Sequence, residues 1–200
     1  MNLVDPEGEK IEDPDKLVMK FRQQIEINLK AIKEVNASLT SLGIKKTEIK
    51  QIQEIYQTIL EELDILEKSD DTFRVVNNVE KEGGVISWDD GIVLIQIDNN
   101  NDLGLIGHEL KHAYQFTQGE ISFNSTNGNA GLLYDIHDEY NAFLRQACIN
   151  SGVKYKDELK KYSNILKEKY NNLKTKNYNI STKGILEELR RIKDIYRVPK

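Results

Sequence analysis

The chain has 200 residues, 38% of them hydrophobic and 30% charged, enough apolar material for a core that needs neither disulfides nor a structural metal. With Cys148 as its single cysteine it forms no intrachain disulfide, no run approaches the roughly 18–20 apolar residues that span a bilayer, and Met1-Asn2-Leu3-Val4-Asp5-Pro6 does not read as a signal peptide. The net charge of −5 argues against a nucleic-acid partner, although it averages two unlike parts: residues 1–150 hold 14 basic and 27 acidic side chains, residues 151–200 hold 14 and 6.

The prolines stand at positions 6, 14 and 199, so long helices are permitted between them. From Asp15 to about Val35, Leu17, Val18, Phe21, Ile25, Leu29 and Ile32 recur at helical steps, with Asp13 or Asp15 as cap. After Gly43 a second amphipathic helix is expected from about Lys46 to Glu67, capped by Thr47, with Ile49, Ile52, Ile55 or Tyr56, Ile59, Leu63 and Leu66 on its apolar stripe. Phe73–Val79, Val85–Trp88 and Ile92–Ile97 read as strands, the last two joined by an Asp-Gly hairpin, and Ile92-Val93-Leu94-Ile95 suits a central strand. A helix then runs from Leu103 to Gln118, capped by Asn101 or Asp102 and stopped by Gly119. A Gly, Ser and Asn-rich loop spans 119–131, and helices follow at about 132–150, 156–173 and 182–196.

The three histidines, His108, His112 and His137, all fall in one short window. His108-Glu109-Leu110-Lys111-His112 is an HExxH match on an expected helix, where two histidines four apart share a face and can grip one metal ion. Glu109, one position round, is placed to act as general base on a water at the open metal position, and zinc suits the imidazole donors. Gly104 and Gly107 thin the turn before His108, as if to let backbone or substrate approach. In the next helix Ile136, Tyr140, Phe143 and Ala147 mark an expected buried stripe, and Glu139 borders it. That makes Glu139 the first choice for third ligand, ahead of His137 and then Asp135, with His137 and Asp138 turned toward solvent and Asp135 suited to orienting a ligand imidazole. The longer HExxHxxGxxH pattern is absent, since Gln115 and Gln118 stand where it has glycine and histidine.

HExxH followed 27 residues later by Glu139, with Ala142 three beyond, resembles the gluzincin branch of zinc metallopeptidases. The resemblance spans about residues 85–147 and implies peptide-bond hydrolysis with His108, His112 and Glu139 on zinc and Glu109 as base; it also implies a cleft-edge strand, at 91–98 or a neighbour, that pairs with extended substrate. Asn2-Leu3-Val4-Asp5-Pro6-Glu7-Gly8 resembles the closing segment of an RHS-repeat-associated core. That likeness implies a toxin or effector domain carried by a larger exported protein, with residues 1–12 as the upstream remnant and a cognate immunity protein as partner.

The whole reads as an α+β, zincin-like metallopeptidase domain over residues 13–200: an N-terminal helical pair, a small sheet, the HExxH helix and a helical C-terminal half. Its expected partners are Zn2+ and a protein or peptide substrate, without nucleic acid or membrane insertion. The competing readings are a non-catalytic helical binding module with a degenerate HExxH, and a zinc hydrolase of a non-peptide amide. Cys148 reads as a small buried residue unless it faces the site as a thiolate, and Tyr114, Tyr134 and Tyr140 as packing unless one reaches an oxyanion. The 127–131 stretch reads as an ordinary loop or a lid, and the lysines of the basic end as a solvated helix face before a surface for an acidic inhibitor.

Overall fold

In a computed structural model of the chain, residues 10–77, 83–98, 102–123, 128, 134, 136–160 and 162 are described. The mixed α+β fold begins with a short strand β1 (Ile11–Glu12), followed by helices α1 (Leu17–Glu34), α2 (Asn36–Ser41) and α3 (Lys46–Glu67). Asp13 does cap α1, from outside its first turn: Oδ1 accepts from Leu17 N–H at 2.6 Å and Oδ2 from Met19 N–H at 3.1 Å. Thr47 does not cap α3. It lies inside the first turn, and the carboxylate of Glu48 accepts the Lys45 N–H instead. The expected apolar stripes are buried, with Phe21 and Ile25 of α1 packing in one core with Ile52, Tyr56, Ile59 and Leu63 of α3. The short α2, unannounced by periodicity, buries none of its residues.

The sheet contains β1, β2 (Thr72–Asn77), β3 (Gly84–Asp89) and β4 (Ile92–Ile97), in the order β1-β2-β4-β3. β4 is central as expected, parallel to β2 and antiparallel to β3. Two rows of side chains, Phe73–Val93–Trp88 and Val75–Ile95–Ile86, cross the sheet and face the helices. Asp90 and Gly91 take φ of 41° and 91°, the left-handed pair that a two-residue hairpin loop demands. β1 joins the other edge, Ile11 opposite Phe73, and so brings residues read as an upstream remnant into the sheet. Two residues are too few for alternation to reveal.

Helix α4 (Leu103–Gln118) starts where expected, with Asp102 Oδ1 accepting from Gly104 and Leu105 N–H, and stops at Gly119, whose φ is 70°. Helix α5 (Ile136–Ser151) begins later than the sequence suggested and runs into a 3-10 turn at Gly152–Lys154. The two helices pack closely because Gly104 and Gly107 present no side chain. A Cβ at Gly104 would lie 2.2 Å from Asn150 Oδ1, and one at Gly107 2.5 Å from Ile149 Cδ1 and 3.2 Å from Phe21 Cζ. These glycines therefore serve helix packing, not the approach of substrate. The helix expected at 182–196 lies outside the described residues, as does the one expected at 156–173 apart from its start, in which Lys156 and Lys160 are exposed. Among the described residues no helix is long and apolar enough to cross a membrane.

Candidate metal centre

His108 and His112 stand one turn apart on α4, and the structure brings their Nε2 atoms to 3.2 Å. Glu139 of α5 reaches the same point, its Oε2 3.6 Å from His108 Nε2. All three side chains are buried, and one ligand atom from each lies within 4.8 Å of the others. Buried lone-pair donors gathered this closely suit a shared cation. Zinc at its usual ~2.0–2.1 Å from nitrogen holds tetrahedral ligand atoms roughly 3.3 Å apart, which matches the histidine pair. The donor set therefore fits a metal ion.

The rival ligands separate on burial. His137 is exposed, as its helix position implied, and Asp135 lies outside the described residues. Asp138 does not point to solvent as expected; it is 6% exposed and its Oδ1 accepts from Gln115 Nε2 at 3.0 Å. Of the expected stripe on α5, Phe143 and Ala147 are buried but Tyr140 is 43% exposed, and Ala142, Arg145 and Cys148 are buried as well. The buried face is wider than the expected stripe because α5 also buries polar residues, Asp138, Glu139 and Arg145. Cys148 sits in the core, where burial pushes its thiol up to about 12, and it takes no part in the centre.

A cavity of about 390 Å³ opens over the three donors, lined also by Glu109, Tyr134, Phe143, Leu105 and the Gly84–Ile86 stretch of β3. Glu109 is buried between α4 and β3, so close to Gly84 that a Cβ there would meet its Oε1 at 2.5 Å. Of the three tyrosines considered from sequence, Tyr134 is the one at this cavity, its ring 5.5 Å from that of His112; Tyr114 instead lies under the Lys111 ammonium. Phe143 packs edge-on against His108 at 4.6 Å and so limits the imidazole to one orientation.

The cavity wall is β3, not the enclosed β4. The hairpin closes on the Asp89–Ile92 pair and Asp98 N–H donates to Gly83 O, so Asp89, Ser87, Val85 and Gly83 hydrogen-bond to β4. The N–H and C=O groups of the alternate residues Gly84, Ile86 and Trp88 then face outward. That of Trp88 donates to Gly128 O, which seats this one described residue of the 127–131 stretch on the sheet edge.

Sequence reasoning missed a buried charged cluster behind the centre. Glu62 of α3, 5% exposed in the middle of an apolar stripe, pairs through Oε1 with Lys111 Nζ at 2.6 Å and through Oε2 with Arg145. Burial lowers the ammonium of Lys111 and pulls the guanidinium of Arg145 down to about 9. One carboxylate thus ties together the three helices around the site, including the motif residue next to His112. The only signal in the sequence was a carboxylate adjoining Leu63 on the expected stripe.

Comparison with protein-family models, curated proteins and solved structures finds no match.

Proposed function

We propose that the domain is a zinc-dependent hydrolase of peptide bonds with a zincin-like active site, in which His108, His112 and Glu139 hold the metal and Glu109 is the general base. The observation that carries the reading is the position of Glu109, buried against the edge strand at the wall of the same cavity that holds the three donors. Zinc supplies Lewis-acid polarisation of a carbonyl and makes water acidic enough to react near neutral pH. Glu109 takes the proton from the attacking water on its carboxylate and passes it to the departing amine. The outward N–H and C=O of Gly84 and Ile86 suit an extended peptide, which a sheet edge binds through main-chain hydrogen bonds. Tyr134 at the cavity wall supplies a phenol for the developing oxyanion.

The likeness of residues 2–8 to an RHS-core ending supports placing this activity in the effector part of a larger exported protein, with an inhibitor protein as cognate partner. Two measurements test the enzyme. Zinc at a hundred times its Kd should stabilise the parent by about 2.7 kcal/mol and His112→Ala far less. Glu109→Gln should retain zinc and lose roughly 10²–10⁴-fold in hydrolysis of an unfolded polypeptide. A parent that purifies without metal and gains no stability from zinc, or a Glu109→Gln variant as active as the parent, overturns the proposal.

A further inference from the structure

In the sequence Gln115 is notable only for breaking the longer HExxHxxGxxH pattern. In the fold it is fully buried and spans the two helices that carry the donors. Its Nε2 lies 3.3 Å from the main-chain oxygen of Asp138 and 3.0 Å from Asp138 Oδ1, and its Oε1 lies 2.8 Å from His112 Nδ1. The main-chain oxygen of Asp138 can only accept, so the amide nitrogen must face α5 and the amide oxygen must face the imidazole. His112 Nδ1 is then the donor, and Nε2 presents its lone pair toward His108 and Glu139.

We propose that Gln115 is a positioning residue for the metal centre: it fixes the tautomer and ring plane of His112 and ties them to Asp138, the chain neighbour of Glu139. The inference rests on the metal-centre reading above. One amide thereby aligns two donors that come from different helices. The bridge needs a group that accepts on one side and donates on the other, which an amide does and a carboxylate does not. A carboxylate at position 115 would have the same shape but would place acceptor against acceptor at Asp138. Partners of this kind, one step removed from a metal, set ligand orientation and metal affinity together.

The test is a titration of the metal-free full chain with Co2+, read by visible absorbance, and with Zn2+ by competition. Thermal midpoints of the metal-free proteins serve as the control for folding. Gln115→Ala and Gln115→Glu should each bind roughly 10–100-fold more weakly than the parent. Gln115→Glu combined with Asp138→Asn restores a donor facing an acceptor between the two side chains and should recover part of that loss, since the main-chain oxygen of Asp138 still faces an acceptor. If Gln115→Ala does not fold, the isosteric Gln115→Glu and the double variant decide the matter. A parent that binds cobalt, with Gln115→Glu binding as tightly, overturns this inference alone. A double variant no better than Gln115→Glu overturns the tie to Asp138. A parent that takes up neither metal overturns the metal centre and this inference with it.

Discussion

Gly84 and Glu109 are fitted to each other: a methyl group on the Gly84 α-carbon would meet Oε1, Cγ and Cδ of Glu109 at 2.5–2.8 Å. A glycine in an edge strand ordinarily weakens it, and here its bareness leaves room for the carboxylate. Gly84→Ala should displace the flexible Glu109 side chain and leave the backbone in place. The expected result is a fall in kcat of about tenfold or more, with zinc affinity and thermal midpoint near those of the parent, because misplacing a reacting group is costly even when binding is intact. An alanine variant with full activity would show that Glu109 does not act from this position.

The Glu62 cluster holds α3, α4 and α5 by one buried carboxylate facing two cations. Removing it leaves Lys111 and Arg145 without that partner in a dry setting, so Glu62→Ala should cost roughly 3–5 kcal/mol in urea unfolding. Lys111, whose side chain is 15% exposed, should cost less on truncation than Arg145 at 6%. A loss under about 1 kcal/mol for Glu62→Ala would mean that water reaches the cluster.

Close packing at Gly107 gives a compensating pair. Alanine gains about 1 kcal/mol in helix propensity over glycine. Here its Cβ would overlap Ile149 Cδ1 at 2.5 Å, and the net effect of Gly107→Ala should be a loss of about 1–3 kcal/mol. Ile149→Val removes that Cδ1 methyl, so the double variant should be more stable than Gly107→Ala alone. Additive losses in the double-mutant cycle would count against the contact.

Burial pushes the Cys148 thiol and the Tyr56 phenol each up to about 12, from ordinary values of 9.0 and 10.0. The unfolded chain therefore releases these protons at lower pH than the folded one. Their contribution to stability is complete below about pH 9 and is lost as pH rises toward 12. Urea midpoints should fall across that range, and Cys148→Ala should flatten the first part of the decline. A Cys148→Ala variant with the slope of the parent would assign the alkaline loss to other groups.

The sequence by itself determined what depends on neighbours along the chain. The four-residue step that sets His108 above His112, the Asp102 and Gly119 limits of their helix, the Asp90-Gly91 hairpin and the apolar stripe of α3 all follow from local geometry, and each is present in the fold. Tertiary structure decided which way α5 faces. His137, Asp138 and Glu139 are consecutive, and a small rotation of one helix on another exchanges which of them is buried. In the fold Asp138 and Glu139 are buried while His137 and Tyr140 are exposed. The same long-range packing gave Glu62 its partner Lys111, 49 residues away, and Gln115 its bridge to Asp138, 23 residues away. Periodicity tells which side chains share a face of a helix; what that face meets is settled only when distant elements compete to bury it.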